Sequence, residues 1–144
     1  MPTVHVSLSS PLPPADVLRV ITDFGPGRSQ AWPGVDDKHL KVHDTGPNWA
    51  DVTEGNDTTW ERERYEWDGA AGTISAVTTE SNVWAVGSRW DYKLTPEGTG
   101  TKVDITLQRV GKGIKGKLIG ALLPLAGKKV ITGSFSGPLQ VAKG

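Results

Sequence analysis

Up to about Gly111 the chain alternates apolar and polar residues in short runs; beyond it the apolar residues fall at helical spacing. Residues 3–9 put Val4, Val6 and Leu8 on one face and Thr3, His5 and Ser7 on the other, the period of a half-buried strand. Pro11, Pro13 and Pro14 end that run. Pro14 suits the first position of a helix over 15–23, with Val17, Leu18, Val20, Ile21 and Phe24 as its apolar side. The next ten residues, GPGRSQAWPG, read as loop or a short second helix. Alternation resumes over 38–44, where Leu40 and Val42 oppose His39, Lys41 and His43. A turn at Gly46, Pro47 and Asn48 leads into a hairpin of 49–54 and 58–67, closed across Gly55, Asn56 and Asp57. Strands over 73–80 and 83–95 follow, then one carrying Val103, Ile105 and Leu107. In 83–95 the alternation sets Trp84, Val86, Ser88, Trp90, Tyr92 and Leu94 on a single face.

From 112 to 143 the period changes. Ile114, Leu118, Leu122 and Leu125 form one stripe, and Phe135, Leu139 and Ala142 continue at the same steps. A helix of that length would span about 45 Å, so its stripe is expected to lie across the sheet. Pro124 lacks a backbone donor and meets the Gly120 carbonyl, which predicts a kink near Gly120–Pro124 or two helices. The expected class is α+β: six to seven antiparallel strands curved around a long, kinked C-terminal helix, with one or two short helices after the first strand.

Charge adds one feature. The 112–143 stretch holds Lys112, Lys115, Lys117, Lys128, Lys129 and Lys143 and no acid, leaving ten basic against sixteen acidic residues elsewhere. Those lysines form either a solvated face answering an acidic sheet or a basic amphipathic element for anionic membrane. The whole chain has zero net charge and a pI near 6.8, which argues against nucleic acid as partner. With no cysteine there is no disulfide, thiol nucleophile or thiolate metal site. No charged segment and apolar run open the chain, so no secretory leader is expected and a cytoplasmic protein is. The run 118–126, interrupted by Gly120 and Pro124, is too short to span a bilayer.

Several stretches together resemble the START-like (SRPBCC) superfamily with the helix-grip fold, in its small bacterial polyketide cyclase/dehydrase-like branch. They are SSPLPPADVLRVITDF with Asp23 and Phe24, then Trp32 and Pro33; the Trp60-to-Tyr65 strand and its turn; LTPEGTGTKVDITL with Gly100, Thr101 and Val103; and GKLIGALLPLAGKKV. Where that family's strand-ending turn often carries a proline pair, this chain has WDGAA at 67–71. The resemblance implies one ligand-binding domain over 1–144. It also implies a deep cavity between sheet and helix that takes an apolar or amphipathic molecule, such as a lipid or polyketide-like compound, with no cofactor. It does not fix a reaction.

Six Trp stand beside two Phe and two Tyr. Trp60, Trp84, Trp90 and Tyr92 either fill a core or line a pocket whose other wall is Leu118, Leu122 and Leu125. The strand WERERYEW sets Arg62 and Arg64 on the face of Trp60 and Glu61, Glu63 and Tyr65 on the other. Its arginines either make cross-strand ion pairs in solvent or hold a ligand oxygen. Glu54–Asp57 reads as a polar loop. His39 and His43 have Lys41 between them and no third ligand, so no metal is expected. Without a nucleophile, metal or phosphate motif, no catalytic residue is assigned. Three functions stay open: a carrier for a hydrophobic small molecule, a cyclase or dehydratase moving protons with Arg62, Arg64, Tyr92 or Glu80, and a membrane-docking or protein-interaction module using the basic C-terminal stretch.

Overall fold

The computed structural model describes residues 3–141. Ala142 and Lys143, included in the helical spacing and charge count above, lie outside the described residues. Strand β1 (Thr3–Ser10) leads to helices α1 (Pro14–Thr22) and α2 (Arg28–Ala31) and a 3-10 turn at Asp37–His39. A meander follows: β2 (Lys41–Gly46), β3 (Trp49–Gly55), β4 (Trp60–Asp68), β5 (Thr73–Ser81), β6 (Arg89–Glu97) and β7 (Gly100–Gln108). Helix α3 (Gly113–Ser136) closes the fold. The seven strands make one sheet in the order β1-β7-β6-β5-β4-β3-β2, every neighbouring pair antiparallel.

The period-two pattern sets the inner face. Val4, Val6 and Leu8 of β1 sit opposite Leu107, Ile105 and Val103 of β7, all six buried. Each such side chain contributes about 1.5–3 kcal/mol by leaving water. Val17 and Ile21 of α1 and Ile131 and Phe135 of α3 close over the same core. At the β3–β4 turn Gly55 has φ +140, and a Cβ there would meet the Thr59 carbonyl and Trp60. Only glycine fits that corner.

Three expectations need correction. The run 83–95 is not one strand: β6 begins at Arg89, and 83–88 turns at Gly87, whose φ is +94. Val86 is therefore 75% exposed while Ser88 is buried, and Trp84 pairs with Gly111 instead of extending β6. Helix α3 runs unbroken through Pro124, which lies on its exposed side, so the two-helix alternative does not occur.

The third correction concerns which side of α3 faces the sheet. Ile114, Leu118, Leu122 and Leu125 are 83, 66, 60 and 86% exposed, and the buried positions are Gly116, Gly120, Gly127, Ile131 and Phe135. The glycines let the helix backbone touch the sheet end directly. A Cβ at Gly116 would collide with the Val83 carbonyl oxygen, and one at Gly127 would come within 2.8 Å of Val4 Cγ2. Close approach won over burial of leucine, and glycine carries no hydropathy by which to announce it.

Candidate functional site

Between the inner sheet face, α3 and the α2 region lies a cavity of about 520 Å³. Ile119, Leu122, Leu123, Ala126, Val130 and Ile131 wall it on the helix side. Trp32, Trp60, Trp84, Trp90, Tyr65 and Tyr92 supply aromatic surface on the others. Trp90 and Tyr92, two apart on β6, stack with centroids 6.2 Å apart, and Phe135 lies 6.0 Å from each. Such walls suit an apolar guest, and the polar groups set among them decide which one.

Strand β4 supplies several of those groups. Its alternation buries Glu61, Glu63 and Tyr65 on the cavity side and leaves Arg62 and Arg64 outside. Glu54 follows Ala50 and Val52 on the inward face of β3, and Arg109 follows Val103, Ile105 and Leu107 just past β7. Arg28 comes from α2. Two buried ion pairs result. Arg28 donates Nε to Glu54 Oε2 at 2.6 Å and Nη2 to Glu54 Oε1 at 3.2 Å. Its Nη1 donates to the carbonyls of Ile21 and Asp23, and Nη2 also reaches Tyr65 Oη, so all five of its N–H groups are engaged. Tyr65 in turn donates to Glu54 Oε1 at 2.5 Å. Arg109 clamps Glu61 through Nη1 at 2.6 Å and Nη2 at 2.7 Å, and Thr78 Oγ1 adds a third donor at 2.8 Å. Burial works against the charge on Arg109, but Glu61 more than offsets it and holds the guanidinium above its ordinary value.

Both guanidiniums also lie against rings. Arg28 is 4.5 Å from the Phe24 centroid and 5.3 Å from that of Trp32. Arg109 is 4.8 Å from Trp84 and 5.3 Å from Trp90. Trp32, Trp84 and Trp90 of the cavity wall thus already lie against the protein's own cations.

Glu63 has no such partner among the described residues. It is 2% exposed, lines the cavity, and its Oε2 accepts no hydrogen bond from them. Burial, then the charges of Glu61 and Glu54, push its carboxyl well above the ordinary 4.5, and Arg109 and Arg28 only partly oppose them. A buried carboxyl in its neutral form without a partner costs about 1–3 kcal/mol; ionised, it would cost far more. Burial likewise pushes the Tyr65 and Tyr92 phenols up, with Glu54 and Glu63 adding to it. The cavity floor therefore carries two charge-compensated ion pairs and one buried carboxyl whose surroundings favour its protonated form.

Of the residues singled out from sequence, Trp60, Trp84, Trp90, Tyr92 and Leu122 line this cavity. Leu118 and Leu125 point away from it, for the reason given by the glycine face of α3. Arg62 and Arg64 also lie outside: Arg62 pairs across strands with Asp51 at 2.7 and 2.9 Å, and Arg64 stacks 4.0 Å over Trp49. Glu80 is exposed. The proton-moving set of Arg62, Arg64, Tyr92 and Glu80 therefore retains only Tyr92 at the cavity. His39 is held by Asp36 and His43 by Thr53. Glu54, read as loop, is buried in β3. The cavity's Arg28, Glu54, Glu61, Glu63 and Arg109 were not singled out as site residues. For Glu54 and Arg109 the signal was parity, since each extends an inward apolar alternation by one step; Arg28, on a four-residue helix, had none.

A family model described as "Polyketide cyclase / dehydrase and lipid transport" matches residues 1–137. No protein of curated function is significantly similar in sequence. Among solved structures, the protein TTHA0849 from Thermus thermophilus superposes with TM-score 0.78 at 21% identity, covering 96% of this chain and 95% of that one. A START superfamily protein from Mycobacterium smegmatis gives 0.72 at 12%, covering 96% and 97%. The Zhui aromatase/cyclase from Streptomyces sp. R1128 gives 0.71 at 14%, covering 92% of each chain. At such identities the likeness carries the fold alone, a helix-grip sheet closed over a long C-terminal helix.

Proposed function

We propose that this chain, which belongs to the polyketide cyclase / dehydrase and lipid transport family, binds a hydrophobic or amphipathic small molecule, lipid or polyketide-like, between its sheet and α3. The observation that carries the reading is the cavity of about 520 Å³ with aromatic and aliphatic walls and a few polar groups, two ion pairs and Glu63, set among them. Volumes of this size are typical of small-molecule sites. A library of lipids and fused-ring aromatics should contain members that raise the melting temperature by mass action and shift tryptophan emission, since Trp60, Trp84 and Trp90 line the space. Flat responses across the library would overturn the reading.

A second element concerns how a ligand arrives. Leu122 and Val130 both line the cavity and stand 60 and 62% exposed, so the apolar surface continues from inside to the outer face of α3. There it joins Leu118 and Leu125, flanked by Lys115, Lys117, Lys128 and Lys129 with no acid on the helix. Exposed leucines between lysines fit an anionic membrane surface. Co-sedimentation with phosphatidylglycerol vesicles that weakens with salt, and is absent with phosphatidylcholine alone, supports this contact; binding indifferent to lipid charge and salt removes it.

A further inference from the structure

Three carboxyl groups face the floor of the cavity, and two guanidiniums face them. Glu54 and Glu61 are each taken by an arginine through two hydrogen bonds, so Glu63 is left over. It is held on the middle strand of three, opposite Val52 of β3 and Thr78 of β5, next to an irregularity in the β4–β5 register at Arg62/Glu63. Such breaks re-aim side chains beside functional sites. The groups around its carboxyl are Glu54, Glu61, Arg28, Arg109, Tyr65 and Tyr92. Glu63 lines the open space, and its Oε2 is buried with no hydrogen-bond partner among the described residues. An unpaired carboxyl on the wall of a largely apolar cavity is placed to meet a polar atom of the guest.

We propose that Glu63 is the cavity's selecting residue: its carboxyl O–H donates a hydrogen bond to the carbonyl oxygen of a neutral, otherwise apolar ligand, so that ketone-bearing molecules are taken in preference to carboxylates. The inference rests on the reading that the cavity holds a small molecule. The same residues explain what is refused. A carboxylate guest finds Arg28 with every N–H engaged and Arg109 facing Glu61, so no unbalanced positive charge receives it, while Glu54 and Glu61 repel it. An ammonium guest needs Glu63 ionised beside two carboxylates, and finds Trp32, Trp84 and Trp90 already lying against Arg28 and Arg109. A neutral acceptor meets neither obstacle. Specificity built on a buried donor discriminates strongly, because an analogue without the acceptor leaves that donor unpaired.

The test uses four tricyclic probes of one skeleton in equilibrium dialysis against the full chain at neutral pH: fluorenone, fluorene, fluorene-9-carboxylate and 9-aminofluorene. Fluorenone is expected to bind on the order of tenfold tighter than fluorene, and the carboxylate more weakly than fluorene. Glu63→Leu removes the donor and should bring fluorenone and fluorene to within about threefold of each other. Glu63→Gln keeps a neutral donor of the same shape and should retain the preference. The preference should also fade at high pH in the parent protein and persist there in Glu63→Gln. Equal binding of fluorenone and fluorene by the parent, a preference surviving Glu63→Leu, or tighter binding of the carboxylate or amine would overturn the assignment while leaving the cavity reading intact. Failure of all four probes to bind would take down the cavity reading and the assignment with it.

Discussion

Replacing Arg109 by Met keeps an unbranched apolar stem and deletes the guanidinium that clamps Glu61. Arg109 and Glu61 have side chains only 7 and 12% exposed, with N–O distances of 2.6 and 2.7 Å. Surface pairs are worth about 0–1 kcal/mol, but orphaning a buried carboxylate costs about 3–5 kcal/mol. Thr78 still donates to Glu61 in the variant, which places the loss toward the lower end; the contacts of Arg109 with Trp84 and Trp90, worth about 0.5–2 kcal/mol, push it back up. For a chain of this length each kcal/mol moves the melting temperature by about 2–4 °C, so Arg109→Met should melt about 6–20 °C lower. The double variant Glu61→Leu with Arg109→Met removes both charges, and should recover most of that loss because no unpaired ion is left in the interior. Urea titration of the parent, both single variants and the double variant closes the cycle. A loss below about 1 kcal/mol for Arg109→Met, or a double variant no more stable than Arg109→Met, would refute the claim that the pair is a buried, mutually dependent unit.

Two other consequences are as specific. Gly120→Ala and Gly116→Ala, four residues apart on one helix, should act in opposite directions. At Gly120 a Cβ finds its nearest neighbour, Trp84, at 3.7 Å and should gain about 1 kcal/mol of helix propensity. At Gly116 it strikes the Val83 carbonyl and should lose about 1–3 kcal/mol; thermal unfolding reads both. Glu63 makes stability fall with rising pH. Its folded carboxyl binds the proton more tightly than the unfolded one does, so its contribution is complete below about 4.5 and is lost as pH climbs toward the raised folded value. Melting curves across the neutral range should therefore show Glu63→Gln gaining on the parent as pH increases; a constant difference would contradict the buried proton.

The strands were legible because alternation and burial agree: β1 repeats exposed and buried residues without a fault. The helix was legible as a helix and not in its orientation. Leu118 and Leu125 carry the hydropathy, Gly116 and Gly127 carry the contact, and only the second fact decides which side meets the sheet. The charges of WERERYEW announced that this strand was unusual. Arg62 makes the cross-strand ion pair while Arg64 lies over Trp49, yet which face turned inward depended on partners far along the chain. Glu61 is separated from Arg109 by 48 residues and Glu54 from Arg28 by 26. Pairings at that range follow from topology, which local pattern does not encode.

Whether the space between sheet and α3 holds a guest is tested most directly by native mass spectrometry of the chain and of a variant with Ala126→Trp, an indole placed at a residue that lines the cavity. The parent should retain a single equivalent of an apolar compound, taken up during expression or added afterwards, and Ala126→Trp should fold but carry none. A parent that never holds such a compound, or a filled variant that holds it equally well, would contradict a binding role for the cavity.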